Sequence, residues 1–127
     1  MVDGLEVWGS PWQPWFHDWA FNLERGAALA EKWAMIPDST DLLITHGPPH
    51  GILDACFDGR RVGCEELTRA VERVRPKLHV FGHIHEAYGV VDDGTTLFVN
   101  ASNCNLRYRP ANAPIVVDWG DDGLRID

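Results

Sequence analysis

Three histidines define the chemistry this sequence can do. His83 and His85 stand one residue apart in Phe81-Gly82-His83-Ile84-His85-Glu86, and His46 opens the turn His46-Gly47-Pro48-Pro49. Neutral imidazole is a common metal ligand, and in extended backbone positions i and i+2 project to one side. The His83 and His85 rings can therefore reach one metal centre or two adjacent ones.

Two short apolar runs must position these rings. Leu42-Leu43-Ile44-Thr45 ends at His46-Gly47, and Leu78-His79-Val80-Phe81 ends at Gly82-His83. Each reads as a buried strand stopping at a tight turn, which puts its histidine at the C-terminal lip, where open α/β sheets hold ligands. Between the two runs, residues 63–75 carry Cys64, Leu67, Val71 and Val74 at helical spacing, with Pro76 as the stop. Strand, helix and strand form a β-α-β unit with parallel strands, and parallel strands bring both lips to one rim. His79 is opposite in phase to Leu78 and Val80 and is expected to face a neighbouring layer rather than to bind metal. Cys64 falls on the apolar stripe and is read as core filler rather than a nucleophile.

The other elements form the frame. Leu5 to Trp8 suits a strand beginning almost at the first residue, so Met1 to Gly4 reads as a cut edge or an internal start. Residues 24–36 form a scaffold helix with Leu29, Trp33 and Ile36 on one face, stopped by Pro37. Asp92-Asp93-Gly94 marks a hairpin, and Gly120-Asp121-Asp122-Gly123 marks a second. Residues 52–62 look like an exposed loop able to carry specificity. Ser10 to Trp19 holds two prolines and is expected to be irregular. Four of the six tryptophans lie in the first nineteen residues, which suits either a loop packed on the core by its aromatics or a pocket wall that stacks on a base or aryl group.

Composition excludes several classes. With 45% hydrophobic and 24% charged residues the chain is an ordinary globular protein, and its 127 residues make one domain or part of one. A net charge of −8 argues against polymeric nucleic acid as a partner. Arg60-Arg61 and Arg107/Arg109 are local exceptions, read as solvated pairs. Cys56, Cys64 and Cys104 have neither disulfide-framework nor zinc-ribbon spacing, so reduced thiols and a cytoplasmic location are expected. No signal peptide or membrane-length apolar run occurs, no membrane partner is expected, and the glycosylation-like Asn100-Ala101-Ser102 is taken as accidental.

Taken together, Gly9-Ser10-Pro11-Trp12, Trp19-Ala20-Phe21-Asn22, Thr45-His46-Gly47-Pro48-Pro49, Val62-Gly63-Cys64, the run from Arg75 to Glu86 and Asn100-Ala101-Ser102 resemble the calcineurin-like metallophosphoesterases, within them the metallophosphoesterase-domain proteins. The resemblance spans nearly the whole chain. It implies an α/β chain with part of a metallo-dependent phosphatase fold, a layered α/β/β/α sandwich with mixed sheets, in which residues 1–127 form the C-terminal portion of one domain. The Asp-x-His, Gly-Asp-x-x-Asp/Asn and Gly-Asn-His-Asp/Glu segments with which the family completes its ligand set do not occur here.

What the resemblance implies for function is metal-dependent hydrolysis of a phosphodiester or phosphomonoester. His46, His83 and His85 would be metal ligands and catalytic residues. Apart from the resemblance, Trp12 of the aromatic stretch, His50 and, if not simply solvated, Arg107 are the candidate substrate contacts. The complete domain would hold two divalent ions (Mn, Fe, Zn or Mg) and act on a small phosphoester, nucleotide-like in character. This chain would need an N-terminal complement or self-association, because three neutral imidazoles cannot offset the repulsion between two adjacent dications. The alternative is a non-catalytic fragment or binding module that holds at most one metal.

Overall fold

The computed structural model describes all 127 residues, Met1–Asp127. Its centre is a five-stranded mixed sheet of β1 (Val7–Ser10), β4 (Leu42–Thr45), β5 (Leu78–Phe81), β6 (Gly89–Asp92) and β7 (Leu97–Asn100), in the order β1-β4-β5-β7-β6. The first four strands in that order are parallel, and β6 pairs antiparallel to β7 at one edge. The α/β class read from the sequence is thus found, with the mixed sheet it implied.

Helix α1 (Ala27–Trp33) crosses from β1 to β4, and α2 (Glu65–Val74) crosses from β4 to β5. Both pack on the same face of the sheet, as two successive right-handed crossovers moving in one direction require. Leu29, Trp33 and Ile36 from the α1 region and Leu67, Val71 and Val74 from α2 meet Leu43, Phe81 and Phe98 of the sheet in one buried cluster. The opposite face is smaller and differently covered. There Leu78, Leu97 and Val99 are capped by Ile115, Val117, Trp119 and Leu124, from the closing hairpin β8 (Val117–Gly120) and β9 (Gly123–Ile126) and the segment before it.

Three local readings change. The strand expected at Leu5–Trp8 lies at Val7–Ser10, because the Glu6 N–H is held by the Asp41 carboxylate and not by a ladder. The proline-rich stretch is not wholly irregular. Its β2 (Gln13–Pro14) pairs in parallel with β3 (Asn22–Leu23), and the Asn22 side chain bonds backbone at Phe16 and His17. The 52–62 loop is not freely exposed. Asp54 is 0% exposed, accepting from the N–H groups of Gly51 and Gly63 and from Arg61. No helix is long and apolar enough to cross a membrane.

Candidate metal and substrate site

His46 and His83 meet at the C-terminal ends of adjacent parallel strands. Their rings lie 4.7 Å apart, and Nε2 of His46 is 3.2 Å from Nδ1 of His83. Two nitrogen ligands each about 2.0–2.1 Å from a tetrahedral ion would sit roughly 3.3 Å apart, so the pair is spaced as two donors to one metal. One ring donates its N–H to the other's lone pair in this arrangement.

Both turns are held in place by backbone. The Gly82 N–H donates to the His46 carbonyl at 3.0 Å, tying the two strand ends together. The turn after β4 lies on the start of α2. Cys64 N–H donates to Pro48 O, His50 N–H to Cys64 O, and the Thr68 hydroxyl to His50 O. Gly63 makes this approach feasible, since a Cβ there would lie 2.4 Å from the Pro49 carbonyl oxygen. The turn after β5 is strained. His83 sits at φ 70, a left-handed conformation that costs of order 1–3 kcal/mol in a non-glycine residue and marks functional sites. The buried Asn100 side chain stabilises it, donating to the carbonyls of Ile84 and Leu53 and accepting from Ser102 N–H. This also makes Asn100 inaccessible as a glycosylation acceptor.

Burial and neighbouring imidazoles keep these rings neutral. The His83 pKa is pushed down to about 4, first by burial and then by repulsion from His46 and His85. Partial desolvation also lowers His46. A neutral ring keeps the lone pair that coordination needs.

His85 shares a cavity wall with His83 without touching the pair. Its Nδ1 lies 3.1 Å from the Asn105 carbonyl, which can only accept, so Nδ1 is the donor in this bond and Nε2 is the nitrogen left for a ligand. Tyr108 stands edge-on to the ring at 5.8 Å. No three His, Cys, Asp or Glu side chains are grouped as a metal would need, so the convergence of three histidines expected from the sequence is realised for two.

The cavity holds about 410 Å³. Trp15, Phe16, Trp19 and Tyr108 line it beside His83 and His85, and Phe16 meets the His83 ring edge-on at 4.8 Å. Glu86 is its only carboxylate, with Arg25 and Arg60 on the rim. Each arginine is already paired, Arg25 with Glu65 and Arg60 with Asp58.

The three expected substrate contacts are placed elsewhere. Trp12 packs against the main core, under Lys32 and edge-on to Phe21. His50 is half-buried and held through its backbone against α2. Arg107 lines a more open depression that it shares with His85 and Glu86. Three of the rings that do line the cavity come from the same tryptophan-rich stretch, three to seven positions beyond Trp12. Tyr108 and Asn105 carry no local signal, because only the fold brings them to His85.

An α/β sheet with an imidazole pair at neighbouring strand ends defines a candidate metal-binding protein of the open-sheet kind. Comparison with known proteins narrows this. Metallophosphoesterase domain-containing protein 1 of Homo sapiens is 60% identical over 119 residues, as is its Mus musculus counterpart, each match covering 92% of this chain and 36% of the relative. The Caenorhabditis elegans UPF0046 protein T07D4.2 is 50% identical over 116 residues, covering 91% of this chain and 29% of that protein. No protein-family model matches. The chain is a relative of the metallophosphoesterase domain-containing proteins, and it spans 36% of the length of the first of them.

Proposed function

We propose that this chain is the C-terminal portion of a metallophosphoesterase domain and supplies the histidine ligands of its metal centre. The observation that carries this is the 3.2 Å approach of His46 Nε2 to His83 Nδ1 at adjacent strand ends, in a chain of this relationship. His85 supports it from the next position, since a metal-binding histidine characteristically donates its other N–H to a backbone carbonyl, as Nδ1 does to Asn105.

His46 and His83 would hold one divalent ion, and His85, through Nε2, would serve a neighbouring one. Paired divalent ions supply a nucleophilic hydroxide and charge stabilisation at the phosphoryl group. The chain's own residues hold the His46 and His83 rings neutral and narrow the approach to them. Trp15, Phe16, Trp19 and Tyr108 form an apolar wall suited to the organic part of a small phosphoester, nucleotide-like or aryl. Carboxylate ligands would come from the rest of the domain. The layered α/β/β/α arrangement fits the sheet face around Ile44, which is 45% exposed in the middle of the sheet and would be covered by a second sheet.

The test is manganese-dependent hydrolysis of bis(p-nitrophenyl) phosphate by the protein carrying this stretch with its complement. His83→Ala and His85→Ala are each expected to lower turnover by about 100-fold or more, the scale on which a lost ligand disturbs a metal site. Undiminished turnover in either variant overturns the reading.

A second reading is favoured by the absence of any three-residue donor group in the chain. Alone, the chain binds at most one ion and does no chemistry. Calorimetric titration with zinc then gives a stoichiometry of one or less, abolished in His46→Ala. Two bound ions per chain would exclude it.

A further inference from the structure

His79 lies in the middle of β5, paired in register with Leu43 on one side and Phe98 on the other, and is 0% exposed. Phe81 and Phe98 pack edge-on against its ring. An imidazole is a poor choice for filling an apolar core, because each ring nitrogen needs a partner. Here Nε2 lies 2.9 Å from the Thr45 hydroxyl, and Nδ1 has no partner.

The protons in this contact can be assigned. The Thr45 hydroxyl donates its only proton to the Gly47 carbonyl at 2.7 Å, and that carbonyl can only accept. Turning the proton toward His79 would leave two acceptor oxygens facing each other at that distance. Thr45 Oγ1 therefore accepts from His79, which fixes Nε2 as the protonated nitrogen and leaves a bare lone pair on Nδ1 in the core.

His79 thus removes the rotational freedom of a hydroxyl. With its acceptor side occupied, the Thr45 O–H must point at Gly47. Thr45 and Gly47 flank His46, so the two hydrogen bonds bracket the backbone that presents the His46 ring to His83. Chains of such bonds also polarise and strengthen one another.

We propose that His79 is a positioning residue, acting through Thr45 and the Gly47 carbonyl to hold the His46 turn in the geometry that pairs it with His83. The role as ligand support rests on the reading of His46 as a metal ligand. The hydrogen-bond relay itself does not, and it can be measured without metal.

The experiment is nitrogen-15 NMR of the labelled, metal-free chain at neutral pH. The expected spectrum has His79 as a single neutral tautomer, with Nε2 protonated and slow to exchange and Nδ1 unprotonated. Protonation at Nδ1, or averaging between tautomers, overturns the proposal, and this arm requires no mutant to fold. In the second arm, Thr45→Val and His79→Leu are expected to shift the Gly47 amide and His46 ring resonances while those of α1 and α2 stay in place. Thr45→Ser and His79→Gln, which retain a hydroxyl and a donor, should return both resonances toward wild type. Unmoved Gly47 and His46 signals in Thr45→Val, or no recovery in the conservative pair, would refute it. An intact relay together with metal binding unchanged in His46→Ala would instead count against His46 as a ligand.

Discussion

Leu43 and Ile44 are consecutive residues of one central strand, and they belong to two different kinds of surface. Leu43 is 0% exposed beneath the two helices, whereas Ile44 is 45% exposed on the other face of the sheet. Leu43 belongs to a buried cluster that includes Trp33, Leu67 and Phe98. Around Ile44 the register partners are Gly9 and Val80, and the β8–β9 hairpin covers β5 and β7 but leaves the β1–β4 side open. The helix face is a finished core and the hairpin face is half of one. The histidine turns, together with Thr45 and His79, are anchored on the finished side, which explains how the site keeps its geometry beside an incompletely covered sheet.

Truncating each residue in turn separates the two faces. Leu43→Ala is expected to cost about 2–5 kcal/mol, because it leaves a cavity that rigid helices cannot close. Ile44→Ala should cost about 1 kcal/mol or less, since little apolar surface is withdrawn from water there. Urea denaturation of the two variants measures the difference. Equal costs would mean that the two faces are equally packed.

That contrast also marks how much was legible in the sequence. The strands around His46 and His83 and the helix between them could be placed to within a few residues, because an apolar run followed by a glycine or proline turn is a strong local signal. The His46–His83 encounter followed from parallel topology. What local pattern could not carry was which residues sit opposite these turns. Trp12 and Trp15 look alike in sequence, but the two-residue ladder of Gln13–Pro14 with Asn22–Leu23 sends one toward the core and places the other at the cavity. Asp54 reads as a loop carboxylate until three donors converge on it. The partnership of His79 with Thr45 spans thirty-four positions and depends on strand register.

A smaller effect tests the sealed side by pH. Burial pushes the His79 pKa down to about 3 from its ordinary 6.5. The folded protein refuses a proton that the unfolded chain accepts. Its contribution to stability is therefore complete above the unfolded pKa and is lost as pH falls from there toward 3. Between pH 7 and about pH 4.5 this amounts to roughly 2–3 kcal/mol, at about 1.4 kcal/mol per unit of pH. His83, also lowered, acts in the same direction. Comparison with His79→Gln isolates the one ring: urea midpoints of the variant should fall less steeply over this range. Parallel slopes would show that the folded state accommodates a proton on His79, and that this part of the core is wetter than the Leu43 side requires.

The smallest change in stability is the most informative about the open side. Ile44→Lys puts a charge in the middle of a central strand, where a buried position would demand several kcal/mol for desolvation. If the face around Ile44 is bathed in water in the isolated chain, the lysine stem can lie along Val80 with its ammonium in solvent, and stability should move by about 0.5 kcal/mol or less. The same substitution should suppress association. Ile44 is an exposed apolar side chain one strand in from the sheet edge formed by β1, where copies would pair, and a cation there would oppose pairing. Sedimentation velocity at increasing concentration would read the difference, with wild type shifting toward larger species and the variant remaining a monomer. A loss of stability as large as that of Leu43→Ala would mean that Ile44 is covered in solution by its own chain, and the face would then be unavailable to any second layer of the domain.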